Sequence, residues 1–355
     1  IYGIPTIALS IAFYKYKLSS LRLSSSLTGL GLKNIETSYF GRSIDLIFIL
    51  ATVGAAGGTI GSYIPMLSSA FSKLTNINNG LGLDLSIIFL CVTLFGFSVY
   101  KGLDKGIKTL SNVNLSLALI FLLLILLSAD FVDIFNSSLS SIKFSLIYFW
   151  DMSTLGVNGK SDFAKEWTIF YWAWWVAFGP LVGLFIARIS KGRTIKDVIL
   201  GMLFFGTLGT WLFYLILGGY SMNGEISGQL QVLDSMRQNG HADTVIGIIN
   251  SLPFSFLMLL IFFVITIVFI TTSYDSMSYV ISYHVLKKDG NNKGPHKNLR
   301  LMWAIILGIL PASLVLYSDH SVALDLILIT SLPLMLVYPL MAISIIKELK
   351  NYEKT

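Results

Sequence analysis

Residues Leu115–Leu127 read LSLALIFLLLILL. A run this solid has neither the two-residue alternation of a half-buried strand nor the polar face of a surface helix, so it fits a helix with apolar surroundings on every side. Followed outward over Val113–Phe135, it supplies the roughly 20 apolar residues a helix needs to cross a bilayer. The same reading picks out Ile1–Tyr16, Ser43–Phe71, Leu85–Tyr100, Trp167–Ala187, Val198–Tyr220, Ile246–Tyr274, Leu301–Tyr317 and Val322–Ile346. The second and seventh of these nine stretches exceed the bilayer requirement, which predicts tilting or breaks. A transmembrane barrel would instead show alternating segments of about ten residues. Composition agrees: 54% of the 355 residues are hydrophobic and 12% charged, against about 25% charged in soluble chains. Disorder requires the opposite balance. The sequence therefore describes an all-α integral membrane protein with nine spanning helices.

Charge placement sets an orientation. Of the 25 Lys and Arg, only Lys73, Lys143, Lys160, Lys165 and Arg237 fall in loops of one parity, and the other twenty fall in the alternate loops. Basic loops face the cytoplasm, so residue 1 is expected outside and the C-terminus inside, in the cell membrane. This accounts for the net charge of +6 without a nucleic-acid partner. An odd span count, an opening inside an apolar run at Ile1 and no signal-like start together read as a fragment with helices missing upstream. The lone Cys91 cannot form an intrachain disulfide. Between spans, Asn136–Phe149 reads as an amphipathic helix at the outer interface, Met222–Asp243 as a polar external loop, and Lys287–Asn298 as a flexible basic connector on the inside.

The segment with the most chemistry is Glu166–Pro180, EWTIFYWAWWVAFGP, which holds Trp167, Trp172, Trp174 and Trp175, four of the seven Trp. On a helix Trp172 and Trp175 share one face, and Trp174 and Phe178 the adjacent one. An interfacial aromatic belt explains Trp167. It explains the others poorly, because Trp175 and Phe178 lie about 12–17 Å deeper at 1.5 Å per residue. An aromatic cage is the functional alternative. A quaternary ammonium has no N–H to donate, and ring faces hold it at about 2 kcal/mol or more per desolvated contact, without a buried carboxylate.

This segment resembles the signature of the betaine/choline/carnitine transporter family. So do LVGLFIARISKGRT after Pro180, Gly106–Asn114 (GIKTLSNVN) and Phe269–Ser276 (FITTSYDS), in family order and spacing. The resemblance implies a twelve-helix fold with two inverted five-helix repeats, of which this chain holds nine spans and lacks the first three. The first repeat would end near residue 135, residues 136–166 would form the external helix and loop, and 167–355 would be the complete second repeat. By position, Trp175 resembles the family's central cage ring and Tyr2 its partner, while Trp172, Trp174 and Phe178 match positions lining the substrate path. Phe178 is a departure, because carriers of glycine betaine often have Trp there.

The resemblance also implies sodium as coupling ion, bound by the hydroxyls of Thr272 and Ser273 and the carbonyl of Phe269; ordinary bonds to the i−4 carbonyl are the bland alternative for such hydroxyls. A second ion site in the family uses two Thr one turn apart in the glycine-rich run ATVGAAGGTIG. Thr52 matches the first, but Ala56 stands at the second. Gly54, Gly57, Gly58 and Gly61 there allow close helix approach or local unwinding. Asp275 is an intramembrane acid, read as structural and paired with backbone or hydroxyls. No nucleotide-binding glycine pattern or metal-spaced His pair occurs, so no cofactor and no enzymatic activity are expected. The reading is a sodium-coupled importer of glycine betaine, choline or carnitine, homotrimeric by resemblance. A sodium-independent exchanger and a non-transporting sensor of the same solutes are the alternatives.

Overall fold

A computed structural model describes residues 1–18, 22–32, 34–101, 104–154, 164–285, 295–317 and 320–352, and among them every regular element is helical. Hydrocarbon offers the backbone no hydrogen-bond partners, so segments this apolar satisfy their own amides. Helix α1 (Gly3–Ser10) runs on through a π turn at Ile11–Lys15, and a 3-10 segment follows at Leu23–Leu30. Helix α2 (Tyr39–Thr75) starts where the Ser38 hydroxyl accepts from the Gly41 amide at 3.0 Å and stops at Asn76, which is left-handed. Then come α3 (Leu81–Lys101), α4 (Asp104–Ser128), α5 (Phe131–Ile147) and α6 (Phe149–Ser153). A π turn at Ala164–Ile169 leads into α7 (Phe170–Ile189). Helix α8 (Ile195–Gly201), opened by a Thr194–Asp197 capping box, continues through a π turn at Met202–Gly206 into α9 (Thr207–Ile226). The chain finishes with α10 (Val232–Asn250), α11 (Ser255–Val285), α12 (Lys297–Tyr317), α13 (His320–Met335) and α14 (Val337–Tyr352).

Eight of these helical stretches are long and apolar enough to cross a membrane. The ninth expected stretch, Ile1–Tyr16, is helical over α1 and its π turn, eight and five residues, or about 20 Å at 1.5 Å per residue. Several boundaries move. The fourth expected span stops at Ser128 rather than Phe135, because the Asp130 carboxylate accepts from the Val132 and Asp133 amides and starts α5. Residues 222–243, expected as loop, are largely helical: α9 continues to Ile226, and the Glu225 side chain accepts from the Val232 amide at the start of α10, which kinks at Gly240. Ile246 and Ile249 of α10 are buried against Phe121, Ile125 and Leu259. The seventh span therefore begins at Ser255 and extends to Val285 instead of covering 246–274. Most of the connector expected at 287–298 lies outside the described residues.

Helices α2, α3, α11 and α12 pack together as one block. The glycine-rich run of α2 stays helical throughout, so the glycines serve close approach. A Cβ on Gly54 would lie 2.2 Å from Thr330 Oγ1 of α13, and one on Gly57 2.3 Å from a Leu310 methyl of α12. Within the block the Tyr274 hydroxyl donates to the Ala56 carbonyl. Asp275 of α11 pairs with Arg300 of α12 at 3.1 Å, their side chains 5% and 10% exposed, and Arg300 also lies over the Tyr279 ring. The structural reading of Asp275 thus finds a charged partner rather than only hydroxyls or backbone.

The 3-10 segment is buried where the sequence suggests only a basic loop. Ser24 donates its amide and hydroxyl to Asp45 of α2, and the Leu23 amide donates to His284 Nε2 of α11. The Gly29 amide donates to the Ser344 hydroxyl of α14. Each of these polar backbone groups would otherwise be stranded away from water.

Candidate functional site: an aromatic corner between α1 and α7

Helix α7 carries the aromatic run, and α1 packs along it. Tyr2, at the start of α1, brings its ring to Trp175 with centroids 5.7 Å apart and planes at 85°. Two rings from helices 173 positions apart in sequence thus form perpendicular walls. Trp175 is 43% exposed in this chain. A cation seated in that corner would meet the electron-rich face of at least one ring, the contact that holds quaternary ammonium groups.

Trp174 is stacked on Trp175 at 6.2 Å and 16°, and also touches Phe170 and Tyr171. Its indole N–H donates to Thr59 Oγ1 at 3.1 Å. That bond gives the half-buried indole a partner and moors α7 to α2. Thr59 was not singled out in the sequence, because a lone hydroxyl after a glycine run carries no distinctive signal. The outer end of the cluster continues through Tyr171, which stacks on Trp167 and pairs its hydroxyl with that of Tyr214 of α9 at 3.2 Å. Trp172 is 55% exposed, and the ring contacts of the cluster run through Trp174 and Trp175 instead. Phe178 is half-buried against the central core. Of the five residues expected on the substrate path, the structure therefore joins three: Tyr2, Trp174 and Trp175.

Phe269, Thr272 and Ser273 lie within one continuous stretch of α11, at the i, i+3 and i+4 spacing that places them on one face. The Thr272 hydroxyl donates to the Val268 carbonyl at 2.9 Å and lies 3.2 Å from that of Phe269. On α2, Thr52 donates to the Phe48 carbonyl at 2.8 Å. These bonds use each hydroxyl's proton and leave its lone pairs available to a cation. At Ala56 the side chain is a methyl, and its carbonyl accepts from Tyr274.

The helices define an integral membrane protein whose aromatic corner lies between two of its helices. The chain belongs to the BCCT, or betaine/carnitine/choline, family of transporters, whose pattern it matches over residues 1–354. It is 30% identical over 361 residues to a carnitine transporter of Acinetobacter baumannii, covering 100% of this chain and 65% of that protein. It is 31% identical over 349 residues to the glycine betaine transporter OpuD of Bacillus subtilis, covering 97% and 67%. An uncharacterized transporter of Escherichia coli, YeaV, is 26% identical over 340 residues, covering 95% and 70%. The chain thus spans about two thirds of the length of these relatives. All three are named as transporters, in line with a sequence in which no enzymatic motif was found.

Proposed function

We propose that the protein imports a quaternary-ammonium solute, namely glycine betaine, choline or carnitine, by sodium-coupled symport across the cell membrane. The observation that carries this reading is the perpendicular Tyr2–Trp175 pair, contributed by two separate helices. Trp174 backs Trp175, and its bond to Thr59 links the corner to α2. Sodium would bind through the Thr272 and Ser273 hydroxyls and the Phe269 carbonyl, and oxygen ligands suit that cation. Thr52 matches one ligand of a second ion position, which is expected not to hold sodium because Ala56 supplies no hydroxyl. Alternating access would rock the α1–α7 pair against the α2, α3, α11 and α12 block, which draws two helices from each proposed inverted repeat. In this reading the C-terminus is cytoplasmic, lipid covers apolar surfaces such as Phe204 and Phe205, and the amphipathic α5 is the contact of a homotrimer.

Radiolabelled uptake into membrane vesicles tests this. An inward sodium gradient should drive accumulation above equilibrium, and dissipating the gradient should abolish it. Uptake indifferent to sodium but stimulated by internal substrate would establish the exchanger, against the retained Thr272 and Ser273. Binding without uptake would establish a sensor.

A further inference from the structure

The last span is interrupted between α13 and α14, where the Leu336 amide turns back onto the Pro333 carbonyl at 3.3 Å. Two residues later Tyr338 is buried, and its hydroxyl donates to the backbone carbonyl of Val176 on α7 at 3.2 Å. This carbonyl has a particular need. In an uninterrupted helix it would accept from the amide four residues on. Residue 180 is proline, with no N–H to give, and a buried carbonyl without a donor is costly inside a membrane. Pro65 and Pro311 also lie inside spans. Among the described residues, however, no side chain donates to the Gly61 or Leu307 carbonyls that those prolines leave open.

Gly179 makes the approach possible. A Cβ there would lie 1.8 Å from the Tyr338 hydroxyl oxygen and 3.2 Å from Cγ2 of Ile1. The contact therefore sits against both halves of the ring pair: Val176 directly follows Trp175, and Ile1 directly precedes Tyr2. We propose that Tyr338 is a positioning residue of the substrate site, its hydroxyl standing in for the amide that Pro180 lacks and so fixing the Trp175 ring against Tyr2. This inference rests on the reading of that pair as substrate-binding. It assigns a role to a helix that contributes no ring to the corner. Pro180 and Gly179 would act with Tyr338 as one unit: the first opens the carbonyl, and the second admits the phenol.

The test compares Tyr338→Phe with the unmutated protein, reading glycine betaine affinity by tryptophan fluorescence and maximal uptake per folded carrier in vesicles. Loss of one hydrogen bond that orients a binding ring should weaken affinity about five- to tenfold, with maximal uptake within about twofold. An unchanged affinity, with loss only in proportion to the folded protein recovered, would show plain packing and overturn the inference. A second comparison uses Pro180→Ala, which returns an amide to the Val176 carbonyl. In that background Tyr338→Phe should change affinity less than about twofold, since the bond it removes is then supplied within α7. An equal change in both backgrounds would overturn the substitution of hydroxyl for amide. If Pro180→Ala does not fold, the split between affinity and uptake in Tyr338→Phe alone decides. Trp175→Ala separates the two levels. Affinity unchanged in that variant overturns the site and this inference together. Affinity lost there but unchanged in Tyr338→Phe overturns only the positioning role.

Discussion

Asp275→Asn removes one charge from a pair whose charged atoms are 3.1 Å apart and whose side chains are 5% and 10% exposed. At an effective dielectric of about 20, Coulomb's law gives about 5 kcal/mol for unit charges at that separation. Leaving one member of a buried pair uncompensated typically costs about 3–5 kcal/mol. Arg300 has no easy escape, because the first turn of α12 holds it over the Tyr279 ring. The purified variant should therefore unfold at a temperature lower by about 5–10 °C in detergent, and Arg300→Met by a similar amount. The double variant Asp275→Leu, Arg300→Met should recover to within about 1–2 kcal/mol of the unmutated protein, because an apolar pair carries no desolvation penalty. The assay is thermal unfolding followed by tryptophan emission on the four proteins side by side. Single variants as stable as the parent, or a double variant with the summed loss of both, would refute the claim that this pair locks α11 to α12.

Other outcomes follow from the same structure. Thr272→Ala combined with Ser273→Ala should remove the sodium dependence of uptake, and the unmutated protein should show a hyperbolic sodium curve with a Hill coefficient near one; a sigmoidal curve would mean that a second ion binds despite Ala56. In a Cys91→Ser background, Lys191→Cys before α8 should react with an impermeant thiol reagent only from the cytoplasm and Ser227→Cys after α9 only from outside, and reversed labelling would overturn the orientation. Gly57→Val should lower the unfolding free energy by about 1–3 kcal/mol through overpacking, because a Cβ there would meet Leu310 at 2.3 Å; a variant as stable as the parent would show that Leu310 moves aside freely.

What the sequence discloses depends on how local the cause is. The core spans are legible because twenty apolar residues in a row permit only one solution in a bilayer. Boundaries are less so. Asp130 turns an apparent continuation of the fourth span into the start of α5, and α10 looks like loop by composition because its cap, Glu225, belongs to the preceding helix. The pairing of Tyr2 with Trp175 came from family resemblance, since no periodicity joins residues so far apart. Arg300 reads as one more basic loop residue until α11 places Asp275 beside it. Tyr338 and Thr59 are ordinary residues in their own helices. They matter only through what α7 lacks at Pro180 and needs at Trp174.

The ring corner is the centre of the account, and affinity for a quaternary amine in Trp175 variants measures it most directly. Trp175→Ala should weaken glycine betaine, choline and carnitine binding together by thirtyfold or more, the equivalent of about 2 kcal/mol from one desolvated ring contact. Trp175→Phe, which keeps a ring face, should lose less than Trp175→Ala for all three. If Trp175→Ala binds and transports these solutes as the unmutated protein does, the Tyr2–Trp175 pair is helix packing and the substrate site lies elsewhere.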